Sequence, residues 1–234
     1  MLDIVTLTEL LAQPRKIVIT THHKPDGDAM GSSLGLYNYL IQQGHHVKVI
    51  SPTDYPAFLS WMPGNGEVLI YTDDTATAES LIDDAAIIFC LDFNALGRIN
   101  EMGEAVRASK AVKVMIDHHL EPEDFDDYRC WDINACATAQ LVYTFITADL
   151  NGAKYINRDV ADCLYTGIMT DSGSFRFPGT TSAVHRIIAD LIDAGAVNWR
   201  IHDLVYSNSS EDRIRFLGHC LSRKLEVLHE YNTA

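Results

Sequence analysis

Four short runs rich in β-branched residues constrain this chain most: KIVIT (16–20), VKVI (47–50), AIIFCL (86–91) and VKVMI (112–116). Each is nearly continuous in apolar character, as a strand covered on both faces must be. Helical patterns separate them. Between the first two lies DAMGSSLGLYNYLIQQG, with Met30, Leu34, Tyr37 and Ile41 at helical spacing and Gly44 placed to end the helix. DDTATAESLIDD reads as a short helix before the third run, and residues 101–110 as another before the fourth. Alternation of this kind builds βαβ units, hence an α/β fold with a parallel sheet and flanking helices. EVLI (67–70) is a weaker strand candidate. Beyond about residue 137 helical patterns take over, at 138–149, 158–170, 181–194, 198–207 and 210–229, interrupted by SGSFRFPGT.

Composition narrows the possible partners. The formal net charge of −14 argues against a broad basic surface that grips nucleic acid through counterion release. An anionic substrate would need another attraction, which bound divalent cations would supply locally. No apolar run approaches the ~18–20 residues that cross a bilayer, so no membrane partner is expected. The first fifteen residues contain Asp3 and Glu9 and lack the basic start of a signal peptide. The five cysteines are odd in number and include no C-x-x-C pair. Reduced thiols in a cytoplasmic protein are the expectation.

Parallel sheets bind ligands beyond the carboxyl ends of their strands, and this chain concentrates acids and histidines there. His22, Asp26 and Asp28 follow the first run within THHKPDGDAMG. Asp92 follows AIIFCL, and Asp117-His118-His119 closes VKVMI. Asp171 sits in MTDSGSF, after a helix and before what reads as a short extended piece. Singly, each is a solvated turn or a cap; Asp28 would serve as an N-cap. Jointly, they would bring several carboxylates together, which repel one another and take up protons unless a cation separates them. Asp26, Asp28, Asp92 and Asp171 carry four negative charges, which two divalent ions balance. Oxygen and nitrogen donors without thiolate suit Mn²⁺, with Mg²⁺, Co²⁺ or Zn²⁺ as substitutes. A pair of ions about 3.5–4 Å apart is suited to in-line displacement at phosphorus.

H-x-x-P-D-G-D-A, a lone strand-end Asp, D-H-H and T-D-S-G-S-F-R-F occur in that order. In this the chain resembles motifs I to IV of the DHH phosphoesterase superfamily, over about residues 1–195. Within that superfamily it is most similar to bacterial nanoRNases, oligoribonucleases that also dephosphorylate 3′,5′-bisphosphate nucleotides and are often labelled RecJ-like or exopolyphosphatase-related. The resemblance implies a Mn²⁺-type phosphoesterase in which a hydroxide shared by two ions attacks phosphorus. By position, it implies His22 and Asp26 on one metal, Asp28, His118 and Asp171 on the other, and Asp92 bridging the two. His119 would face the scissile phosphate, and Asp117 would orient the histidine pair from behind. Arg98, where the family often has an arginine, either contacts phosphate or braces a helix; Arg176 is open in the same way. His23 follows His22 directly and should point to the opposite face.

Relatives follow this domain with a DHH-associated domain containing a G-G-G-H segment, which this sequence lacks. The expected organisation is therefore a DHH phosphoesterase domain over 1–195 and a helical linker over 196–234, leading toward an absent C-terminal domain. Pyrophosphate, polyphosphate or a cyclic dinucleotide would suit the same residues, as would a nucleotide-binding regulatory module without turnover. A homodimer is compatible with all of these. Gly31-Ser32-Ser33-Leu34-Gly35 matches the G-x-S-x-G of serine hydrolases. That motif needs a sharp strand-to-helix turn at the serine, whereas Ser33 falls inside a helical pattern. Its small residues instead suit close packing of that helix on the sheet.

Overall fold

A computed structural model of the protein describes residues 2–234. The expected strand runs become β1 (Lys16–Thr21), β2 (His46–Ser51), a short β3 (Val68–Ile70), β4 (Ile87–Leu91) and β5 (Val112–Asp117). An edge strand, β6 (Tyr128–Trp131), and an N-terminal helix, α1 (Ile4–Leu11), have no counterpart among the expectations. YRCW is short and only partly buried, so it lacks the apolar run that marks its neighbours. The six strands form one parallel sheet in the order β3-β2-β1-β4-β5-β6.

Period-two alternation divides each strand between two cores. Ile17, Ile19, Ile87, Phe89, Val114 and Ile116 share a core with α2 (Gly27–Ile41), α5 (Thr138–Thr144) and α6 (Arg158–Asp171). Val18, Ile50, Ile88 and Cys90 face the opposite way, toward α3 (Thr75–Asp84) and α4 (Met102–Ala108). Burial on both faces is why the runs are continuous rather than alternating.

The small residues of α2 serve a different contact from the one expected. A methyl group at Gly31 would come within 2.7 Å of the Cys163 carbonyl oxygen and of the Gly167 nitrogen, both backbone atoms of α6. The close approach is therefore helix to helix, not helix to sheet. Ser33 is fully buried within α2 and offers no accessible nucleophile.

The C-terminal third is helical, with α7 (Ser182–Asp193), α8 (Asn198–Tyr206) and α9 (Glu211–Arg223). The stretch expected to be a linker behaves in two ways. Ile201 and Val205 of α8 are buried in the main core, whereas α9 has no buried residue. The extended piece expected after Asp171 is absent. Gly173, Ser174 and Phe175 instead take left-handed φ values of 58°, 58° and 64°, a tight turn closing α6. Among the described residues, no helix is long and apolar enough to cross a membrane.

Candidate metal centre

The sheet grows from β1 toward β2 and β3 on one side and toward β4, β5 and β6 on the other. Such a reversal opens a crevice at the carboxyl ends of the two central strands. His22 immediately follows β1 and Asp92 immediately follows β4, so they flank that crevice. Asp92 is 2% exposed and sits at φ 64°, a left-handed conformation that aspartate tolerates at some cost. Its nitrogen still donates to the Ile116 carbonyl at 3.1 Å, continuing the ladder one residue past the strand.

Three imidazoles surround the Asp92 carboxylate. His22 Nε2 lies 3.5 Å from Oδ2, and His118 Nε2 and His119 Nδ1 lie 3.7 and 3.8 Å from Oδ1. Thr138 Oγ1 donates to Oδ1 at 2.9 Å. Burial pushes this carboxyl upward, but the His22 bond and the nearby imidazoles outweigh it and hold it below the usual range.

Asp26 and Asp28 have exchanged the capping role expected from sequence. Asp26 caps α2, accepting from the Asp28 and Ala29 nitrogens at 3.0 and 3.1 Å. Asp28 instead reaches across to the start of α5, where Thr138 and Ala139 donate to its two oxygens at 2.6 and 2.9 Å. Those amides are unpaired donors of a helix N-terminus, a natural seat for a carboxylate. Asp171, the last residue of α6, approaches from the other side, with Oδ2 3.5 Å from His118 Nε2. Burial first, then the charges of Asp92 and Asp171, push the Asp28 carboxyl well above its ordinary value. Asp171 is pushed up to about 6, again by burial first and with Asp92 and Asp26 adding.

Ligand atoms of His22, Asp26 and Asp92 lie within 4.8 Å of one another, and so do those of Asp28, His118 and Asp171. The two sets meet through His118, which reaches both Asp28 and Asp92. Their hydrogen bonding fits a metal. His22 Nδ1 contacts the His23 carbonyl at 2.9 Å, and His118 Nδ1 contacts the Ala135 carbonyl at 3.1 Å. A carbonyl only accepts, so each Nδ1 carries the proton. In the neutral rings each Nε2 lone pair then faces carboxylate oxygens 3.5–4.0 Å away. Electron pairs opposed across that gap are relieved by a proton on the ring or by a cation between them, and the donor set suits the latter.

The remaining expected residues fall into place unevenly. Asp117 is fully buried and touches His119 alone, not both histidines: Oδ1 is 2.7 Å from His119 Nδ1, and Oδ2 accepts from the His119 nitrogen at 3.1 Å. His118 is steered by the Ala135 carbonyl instead. The Asp117 bond raises the His119 imidazole above its ordinary pKa and leaves Nε2 as its outward atom. Arg98 is half-buried, and its charge opposes protonation of His119. Arg176 is exposed and its Nε donates to the Gly173 carbonyl at 2.6 Å, so it closes its own turn. His23 donates its backbone nitrogen to the Arg98 carbonyl at 2.8 Å and belongs to neither donor set.

Two contributors escaped the sequence reading. Thr138 bonds both Asp28 and Asp92, yet in the sequence it is only a threonine at the start of a helical pattern. Phe175 packs its ring against Tyr165, His185 and His202, with centroids 5.8–6.3 Å away. That packing offsets the cost of the left-handed turn directly after Asp171.

The model of the DHH family, N-terminal domain, matches residues 16–168, a span holding every donor above except Asp171. The chain is 37% identical over 179 residues to the bifunctional oligoribonuclease and PAP phosphatase NrnA of Thermus thermophilus, covering 76% of this chain and 50% of that protein. It is 28% identical over 177 residues to the NrnA of Bacillus subtilis, covering 75% of this chain and 52% of the relative. The crystal structure of an exopolyphosphatase-related protein from Bacteroides fragilis superposes with a TM-score of 0.94 at 42% identity, over 97% of this chain and 66% of that one. The chain thus spans about half the length of the NrnA proteins it matches.

Proposed function

This chain belongs to the DHH family, and we propose that it acts as a two-metal phosphoesterase on short oligoribonucleotides or 3′,5′-bisphosphate nucleotides. The observation that carries the reading is the pair of facing donor sets, in which imidazole nitrogens and carboxylates converge as they would around a cation. His22 and Asp26 would hold one ion, Asp28, His118 and Asp171 the other, and Asp92 would serve both. The donor set suits Mn²⁺, with Mg²⁺, Co²⁺ or Zn²⁺ as substitutes. Such ions supply an activated water and neutralise charge on the phosphoryl oxygens.

The chain's own groups do the rest. Asp117 fixes the His119 ring so that Nε2 faces outward. A protonated His119 holds a non-bridging oxygen as water adds to phosphorus, and it hands its proton to the alkoxide when the P–O bond breaks. Asp28 and Asp92 are locked by Thr138 and Ala139, so the donors need little rearrangement before the reaction. In this proposal the DHH unit, expected over 1–195, extends through α8, whose Ile201 and Val205 lie in its core, and α9 leads toward the part of the relatives that this chain does not span. Five free thiols favour a cytoplasmic setting.

The test is product analysis with a dinucleotide, a 3′,5′-bisphosphate nucleotide and pyrophosphate, each with EDTA and then with Mn²⁺. Mn²⁺-dependent release of a mononucleotide or of phosphate from the first two substrates is expected. Turnover insensitive to EDTA, or confined to pyrophosphate, would overturn the reading.

A further inference from the structure

A cleft opens directly from the metal centre toward the segment joining α8 to α9. It encloses about 310 Å³, within the ordinary range for small-ligand sites. Asp26 and Asp171 of the metal centre line it together with Phe58, Tyr206 and Arg213. Arg213 also lines a shallower continuation along Phe58 and Ser210, where no acidic residue faces it.

The chain has 32 acidic and 18 basic residues, so a guanidinium in the cleft that Asp26 and Asp171 also line stands against the overall charge. Arg215, two residues along the same helix, pairs with Glu211 at 2.7 Å. Arg213 makes no ion pair and no side-chain hydrogen bond among the described residues; its backbone nitrogen donates to the Ser210 hydroxyl at 3.2 Å. A free guanidinium lining the same cleft as a metal centre is a ready partner for a second anionic group on the same ligand. Two aromatic rings in the same cleft, one half-buried and one 50% exposed, suit a planar, partly apolar body. Lys24 lines a separate cavity with Phe58, Asp26 and Asp54 and is the weaker candidate.

We propose that this cleft holds a nucleotide carrying a second phosphate: the scissile phosphate lies at the metal centre, the base or ribose lies against Phe58 and Tyr206, and the second phosphate bonds Arg213. This deepens the phosphoesterase reading and rests on it. It makes Arg213 a specificity-determining residue, since a phosphodiester without the second anion gains nothing from it.

The experiment compares Mn²⁺-dependent hydrolysis of adenosine 3′,5′-bisphosphate with that of bis(p-nitrophenyl) phosphate, in the wild-type chain and in Arg213→Gln and Arg213→Lys. Arg213→Gln should lower the ratio of kcat/KM for the bisphosphate to that for the diester by about tenfold, chiefly through KM. Arg213→Lys should recover part of the loss. An unchanged ratio in Arg213→Gln would overturn the assignment. So would a wild-type chain that cleaves the diester but not the bisphosphate. Cleavage of neither substrate by the metal-loaded wild type would instead sink the phosphoesterase reading, and this inference with it.

Discussion

The two ends of the sheet handle charge in opposite ways. At the amino end Lys16 pairs with Asp84 and Lys48 with Glu67, each cation beside its own anion and largely in solvent. Pairs of that kind contribute little to stability, because water screens them and ordering long side chains costs entropy. At the carboxyl end Asp28 and Asp92 are buried and surrounded by other carboxylates and by imidazole lone pairs. There the chain holds donors together without supplying the cation that would satisfy them. One end is electrostatically complete and the other is built for an addition.

The contrast breaks most severely at Asp92, which contacts His22, His118, His119 and Thr138. Asp92→Asn keeps the size of the side chain and removes its charge. Mn²⁺-dependent turnover should fall by about a thousandfold or more, measured as initial rates on a dinucleotide. Near-normal rates in that variant would mean that the two donor sets act independently of it.

Packing behind the carboxyl end comes next. Gly31 of α2 lies against the backbone of α6, and these helices carry Asp28 and Asp171 respectively. Alanine would gain about 1 kcal/mol in helix propensity. It would also force apart backbone atoms that cannot yield, an overpacking cost that reaches about 3 kcal/mol. Gly31→Ala should therefore lose about 1–2 kcal/mol in denaturant unfolding and bind Mn²⁺ more weakly. Full stability and full affinity would show that the helix contact does not set the Asp28–Asp171 spacing.

Acidity separates the two ends by sign, apart from Asp92, whose carboxyl the neighbouring imidazoles hold down. In the metal-free chain Asp28, Asp171, His22 and His119 all titrate above their ordinary values. A raised group stabilises the fold below its unfolded pKa and loses that contribution as pH rises through the folded value. For Asp171 this window runs from 3.8 to about 6, and the histidines extend it above 6.5. Thermal stability of EDTA-treated protein should thus decline from about pH 5 to pH 8, and Mn²⁺ should blunt the decline. Glu67 at the amino end is depressed by Lys48, so its contribution disappears only as pH falls below 4.5. A metal-free melting temperature that rises from pH 5 to pH 8 would contradict the asymmetry.

The smallest effect belongs to the amino end. Lys16→Met should change stability by less than about 0.5 kcal/mol, because both partners are mostly exposed. A loss above about 1 kcal/mol would mean that these pairs bear more of the fold than their exposure suggests.

Much of this asymmetry was legible in the sequence, for a physical reason. Buried parallel strands must be apolar throughout, so KIVIT and AIIFCL announce themselves, and whatever follows them lies at a sheet end. That logic located His22, Asp92, the Asp117-His118-His119 group and the order of the elements, whereas Asp171 follows a helix and was found only through its motif. It did not locate β6, because a half-exposed edge strand needs no apolar run. It also missed that Asp28 seats on the start of α5, since the contact spans 110 residues and depends on how α2 and α5 meet. The glycines of α2 announced a close neighbour but not which one. The turn at 173–175 looked extended because Ser174 and Phe175 are ordinary L-residues, and only their surroundings hold them left-handed.

The central claim is that the donors gathered at the crevice hold divalent ions as a pair. Calorimetric titration of the metal-free chain with Mn²⁺ tests it most directly. The account predicts two ions per chain, with both sites weakened together in Asp92→Asn. Failure of the wild-type chain to bind Mn²⁺ or any of the other three ions, or two sites of which Asp92→Asn leaves both intact, would contradict it.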